Sequence, residues 1–233
     1  IVDSLVGSEM CIRDRDEWGI DVTVGASQKG LMMPPGIGIV AVGEKALLAT
    51  KESTMPRLYW DWKTRLEAEH YRKFCGTAPQ LMVFGMREAL NMLFEEGLEN
   101  VFERHRVLAG ATQAAVEVWG QAGTLSLNAV EPKERSNGVT TILTSEGIDA
   151  DQFRNICRDE MMVGLGGGLG DLSGKAFRVG HMGDINAPML YAALSAVEST
   201  LGYLNIKYAS GGVTAAIEYV TDVKKNEAGP FSF

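Results

Sequence analysis

One glycine, Gly97, interrupts an otherwise continuous helical pattern over residues 79–119. Before it, Leu81, Phe84, Leu90 and Leu93 fall on or near one helical face, and Pro79 suits a helix start because its locked φ and missing N–H cost nothing in a first turn. After it, a second long helix is expected over 98–119, ended by Gly120. The break divides the chain into two parts with different patterns. Residues 21–24 and 37–42 are short β-rich runs joined by a turn-rich stretch, so they read as a hairpin or as neighbours in a mixed sheet. A short helix is expected over 44–50, and 55–73 reads as irregular. Beyond Gly120, residues 125–128 and 138–144 alternate like strands, and Asp149 is a good N-cap for a helix through Met161. A short strand is expected at 177–179. Leu190, Leu194, Val197 and Leu201 mark a long helix over 187–203, and a last helix covers 212–220. Residues 224–233 read as a loose tail.

These elements predict an α/β chain: 16–96 as the end of a larger mixed-sheet domain, 97–233 as a smaller α+β domain. Two strands cannot close a large sheet, so the first part is expected to be truncated. Residues 1–15 show neither alternation nor helical periodicity. The stretch SLVGSEMCIRDR resembles translated adaptor sequence, so 1–15 is expected to be a non-native leader, with an ordinary surface loop as the alternative.

The chain has 22 Lys plus Arg against 30 Asp plus Glu, a net charge of −8, which argues against nucleic acid as a main partner. No basic run suggests an anionic membrane surface, and no apolar run reaches the ~18 residues a transmembrane helix needs. Cys11, Cys75 and Cys157 form no CxxC pair, and His70, His105 and His181 are scattered. A metal site is not expected, and a reduced, cytoplasmic setting is the simplest reading, with an organellar one left open.

Three segments carry candidate chemistry. In Gly25-Ala-Ser-Gln-Lys-Gly-Leu-Met-Met-Pro-Pro-Gly36, Lys29 follows a strand and sits among small residues. A lysine that forms a Schiff base needs partial desolvation and room for a planar partner, although a lysine in such a turn is more often simply solvated. In Phe177-Arg-Val-Gly-His-Met-Gly-Asp-Ile-Asn186, Arg178 could grip a carboxylate with its two-pronged guanidinium, or form a surface salt bridge. His181 and Met182 are expected to shape the turn. In Phe74-Cys-Gly-Thr-Ala-Pro79, Thr77 could offer a hydroxyl to a phosphate or cap the following helix. The aromatics of Tyr59-Trp-Asp-Trp62 read as buried packing, with a substrate entrance as the other reading. Gly164-Leu-Gly-Gly-Gly-Leu-Gly170 lacks the GxGxxG spacing of a dinucleotide site and reads as a flexible loop.

Together, SQKGLMMPPG, YWDW, FCGTAP and RVGHMG, in this order and with the helical stretch 87–105, resemble the class V pyridoxal-phosphate-dependent aminotransferases, in the serine–glyoxylate and alanine–glyoxylate branch. The resemblance runs over residues 16–220. It implies the C-terminal portion of the type I aminotransferase fold and pyridoxal 5′-phosphate as cofactor. Lys29 would be the Schiff-base lysine, Gln28, Thr77 and Phe74 would lie at the cofactor, and Arg178 would bind the substrate carboxylate. Family members often carry Tyr where Phe74 stands, and Phe has no hydroxyl for a phosphate. The implied activity moves an amino group from serine or alanine to glyoxylate in a homodimer. The implied partners are small amino acids and keto acids. The family's phosphate loop, ring-stacking aromatic and pyridine-nitrogen Asp precede the lysine and lie outside this chain, so the chain alone is expected to be inactive. A non-catalytic dimerisation domain and a cysteine desulfurase are the alternatives. The second needs a mobile cysteine, and Cys157 falls on an expected helix.

Overall fold

The structure is a computed structural model that describes residues 18–226. The leader reading for 1–15 and the tail from 227 onward lie outside the described residues. The chain forms two compact units divided between Glu96 and Gly97.

In the first unit, β1 (Val22–Ala26) and β2 (Gly38–Val42) form an antiparallel hairpin with Val24 opposite Val40. Helix α1 (Glu44–Ala49) follows. The stretch expected to be irregular contains two single turns, α2 (Trp62–Arg65) and α3 (His70–Lys73). The Asp61 carboxylate starts α2 by accepting from the Lys63 N–H at 3.1 Å. Helix α4 (Gln80–Glu96) turns Leu90 and Leu93 inward as expected, but not Leu81 and Phe84. Leu81 and Phe84 are 86% and 66% exposed, whereas Ala89 and Leu93 are buried and Met82 and Met86 are half-buried. The inward stripe is Met82, Met86, Ala89 and Leu93, at i, i+4, i+7 and i+11. Tyr59 and Trp60 are 62% and 76% exposed and stack edge to face at 5.1 Å, so they are not core packing.

The second unit is built on α5 (Leu98–Gly120), whose buried positions include Val101, Arg104, His105, Leu108, Ala115 and Trp119. Strands β3 (Leu125–Leu127), β4 (Val139–Thr144), β5 (Gly166–Gly167) and β6 (Ala176–Gly180) form an antiparallel sheet in the order β3-β4-β6-β5. Helix α6 (Ala150–Glu160) starts at Asp149, whose carboxylate accepts from the N–H groups of Asp151 and Gln152. Helix α7 (Ala187–Tyr203) buries Leu190, Leu194, Val197 and Leu201 completely. Helix α8 runs Gly212–Asn226, past the expected end at 220. Lys224 and Lys225 in its last turn complement the helix dipole, and Lys225 pairs with Asp222 at 3.8 Å.

Side chains alternate across a strand, which gives the sheet two different faces. Phe177 and Val179 are buried on one, with Phe177 stacked on Phe153 of α6 at 4.6 Å. Arg178, between them, points to the other face, beside Thr141 on β4 and Gly166 on β5.

Candidate active site

Lys29 lies in the turn that leaves β1. Ser27, fully buried, closes this turn on itself. Its hydroxyl donates to the Pro34 carbonyl at 2.8 Å and accepts from the Ile37 N–H at 3.2 Å. The backbone adds Ser27 N–H to Ile37 O at 3.0 Å and Met33 N–H to Ser27 O at 3.1 Å. Within the loop, the Met32 N–H donates to Lys29 O at 2.9 Å, and Met32 takes a φ of 58°, an uncommon conformation for a side chain of its size. Leu31 and Met33 are buried beneath the turn, while Lys29 is half-buried and Gln28 exposed. A Cβ on Gly85 of α4 would come within 3.2 Å of the Met33 Cε. One on Gly36 would come within 3.0 Å of the Met82 Cε. The turn is therefore seated closely on α4. No carboxylate pairs with the Lys29 amine among the described residues. A planar aldehyde needs an unpaired amine with small neighbours, and this turn offers both.

Phe74 and Thr77 flank Cys75, which has a φ of 54°. Both are exposed. Helix α4 begins at Gln80, so Pro79 holds the capping position and Thr77 precedes it by two residues. That removes the capping role considered for Thr77 and leaves its hydroxyl on the surface.

Arg178 is half-buried, and its Nε–H donates to the Gly167 carbonyl at 2.7 Å. The salt-bridge alternative has no support, because no carboxylate pairs with Arg178 among the described residues. The glycine run expected to be a flexible loop supplies strand β5 and the 3-10 turn Gly170–Leu172.

The loop between β6 and α7 is held by buried polar groups. The His181 ring donates from Nδ1 to Asn137 O at 2.9 Å and accepts at Nε2 from the Thr140 hydroxyl at 2.9 Å. Burial holds its pKa down at about 4; the Asn137 carbonyl opposes this and the nearby His105 adds to it. His105 donates from Nδ1 to Val101 O at 2.6 Å and accepts at Nε2 from the Gly183 N–H at 2.9 Å. The Arg104 guanidinium reaches Gly183 O at 2.7 Å and Ile185 O at 3.0 Å. Asn186 caps α7 through the Met189 N–H. Sequence reasoning missed Arg104 and His105. The signal was there: two polar residues at i+3 and i+4 from Val101, on the buried stripe of α5.

Cys157 is buried in α6, and burial pushes its thiol pKa up, opposite to what a mobile nucleophilic cysteine needs. Among the described residues no group of His, Cys, Asp and Glu could hold a metal, and no helix is long and apolar enough to cross a membrane.

Comparison with known proteins gives this geometry a family. The class V aminotransferase family model matches residues 2–170. Serine–glyoxylate aminotransferase of Methylorubrum extorquens is 40% identical over 89% of this chain and 52% of its own length. That of Arabidopsis thaliana is 37% identical over 91% and 53%. Pyridoxamine-pyruvate aminotransferase of Mesorhizobium loti superposes with a TM-score of 0.80 at 28% identity, over 90% of this chain and 53% of that one. The chain belongs to the class V aminotransferases, which use pyridoxal 5′-phosphate, and carries the C-terminal portion of their fold. It spans about half the length of the relatives it matches.

Proposed function

We propose that the whole protein carrying this chain moves an amino group from serine, or from alanine, to glyoxylate, yielding glycine and a keto acid. The observation that carries this reading is the half-buried Lys29 amine, without a carboxylate partner among the described residues, in a turn closed by buried Ser27. The names of the relatives from M. extorquens and A. thaliana support serine and glyoxylate as the substrate pair.

In this reading Lys29 is the covalent anchor of pyridoxal 5′-phosphate. When bound, the cofactor supplies an electron-withdrawing ring that stabilises negative charge at the substrate Cα. The Lys29 amine, when free, would take the proton from the substrate Cα. Thr77 and Gln28 offer donors to the phosphate. Phe74 brings an apolar ring and no donor. Arg178 grips the substrate carboxylate with its two terminal nitrogens. The first unit is then the end of the large cofactor domain and the second the small C-terminal domain of a cytoplasmic homodimer. This chain alone does not turn over.

The test is an assay of serine-dependent glycine formation from glyoxylate by the whole protein, beside the Arg178→Lys variant. Lysine keeps the charge and loses the fork. Substrate binding should weaken by roughly 2–5 kcal/mol if the paired carboxylate is desolvated, with cofactor affinity unchanged. Lost cofactor affinity with intact substrate affinity would contradict the role given to Arg178.

A further inference from the structure

The glycine run 164–170 places strand β5 beside Arg178. We infer that Gly166 and Gly167 are positioning residues for the Arg178 guanidinium, an inference that rests on the carboxylate-binding role proposed for Arg178.

Gly166 faces Arg178 directly across the β5–β6 ladder. A Cβ at Gly166 would lie 3.2 Å from the Arg178 Cβ and 3.4 Å from its Nε, so any side chain there pushes the arginine away. The absence of one lets the guanidinium lie over β5, where Nε–H reaches the Gly167 carbonyl at 2.7 Å. That bond occupies Nε–H, which a two-pronged carboxylate pair through the two terminal nitrogens does not need. Neither Nη has a protein partner among the described residues.

The acceptor is itself fixed. The Gly168 N–H donates to Ala176 O at 2.9 Å, and a Cβ at Gly168 would lie 1.9 Å from Leu172 O, so only glycine fits there. From the opposite face of the sheet, the Arg154 Nε–H donates to Leu165 O at 3.1 Å, and Asp151 holds Arg154 at 2.7 Å. A Cβ at Gly167 would meet the Arg154 Nη1 at 2.8 Å. Two glycines in sequence thus make room for one arginine on each face. The arginine on the helix side holds the strand that aims the other.

The experiment measures KM and kcat for serine, cofactor affinity and thermal unfolding in the whole protein. Five variants are compared with wild type: Gly166→Ala, Gly164→Ala, Arg154→Gln, Arg178→Lys and Gly166→Ala combined with Arg178→Lys. A Cβ at Gly164 meets nothing within 4 Å, which makes it the control from the same run. Gly166→Ala should raise KM at least ten-fold with kcat within about three-fold and cofactor affinity unchanged. Gly164→Ala should behave as wild type. The double variant should be no worse than Arg178→Lys alone, because both changes remove one aimed fork. Arg154→Gln, on the face away from Arg178, should raise KM about three-fold or more, and it decides the matter if Gly166→Ala does not fold. Unchanged KM in Gly166→Ala or, failing that, in Arg154→Gln, beside a raised KM in Arg178→Lys, overturns the positioning role. An unchanged KM in Arg178→Lys sinks the carboxylate role itself and this inference with it.

Discussion

The two candidate residues are held in contrasting ways. Arg178 stands on a sheet whose other face is a finished core. Trp119, Phe153, Phe177, Ile142, Leu190 and Leu194 are all fully buried there. Its neighbours Phe177 and Val179 are locked by packing, so its backbone can hardly shift. Among the described residues of the unit that holds Lys29, the buried apolar side chains are Leu31, Met33, Ala89 and Leu93, while Val24, Leu81, Phe84 and Phe94 are at least 65% exposed. Its turn keeps its shape through hydrogen bonds, above all those of Ser27. In this chain the position of Arg178 is set by packing, and the shape of the Lys29 turn by hydrogen bonds.

The sharpest contrast is in stability. Leu194→Ala should cost the second unit about 2–5 kcal/mol, since a fully buried leucine leaves a cavity. Leu81→Ser, at a position 86% exposed, should stay within ~0.5 kcal/mol in this chain. Denaturant unfolding of the two variants measures both, and equal costs would erase the distinction between the units.

A second effect belongs to the loop behind Arg178. His181 has its pKa lowered from 6.5 to about 4 in the folded protein, so between these values the unfolded chain binds the extra proton. The stabilisation is fully present above pH 6.5 and is lost as pH falls toward 4, by about 3 kcal/mol. His181→Gln should flatten that slope. An identical pH dependence in wild type and variant would show that His181 is not the titrating group.

The smallest effect tests the lysine turn. Ser27→Ala leaves the Pro34 carbonyl and the Ile37 N–H without the hydroxyl and should cost about 1–3 kcal/mol. Because the loss is local, faster hydrogen exchange at Ile37 should exceed any change in α5. Uniform acceleration across both units would mean that the turn is not an independent closure.

The long helices were legible because their core positions repeat every three to four residues, as at Leu190, Leu194, Val197 and Leu201. The Asp149 cap was legible because the signal is local. The inward face of the first half of α4 was not. Apolar residues surround that helix, and the close approach of Gly36 and Gly85 to methionines selects Met82 over Leu81. Strand β5 was invisible because glycines have no side chains to alternate. Helix α8 extends through polar residues, which no apolar periodicity reports. Lys29, Gln28, Phe74, Thr77 and Arg178 could be picked out by resemblance. The groups that hold them could not, because Ser27 bonds residues ten positions on and Gly167 bonds residue 178.

The central claim is that Lys29 anchors the cofactor. The most direct measurement is borohydride reduction of the whole protein loaded with pyridoxal 5′-phosphate, followed by peptide mapping of the attached group. The account predicts that the label falls on Lys29, and that Lys29→Ala folds with the same stability and takes no label. A label on any other lysine of the wild-type protein, or stoichiometric labelling of the Lys29→Ala variant, would contradict it.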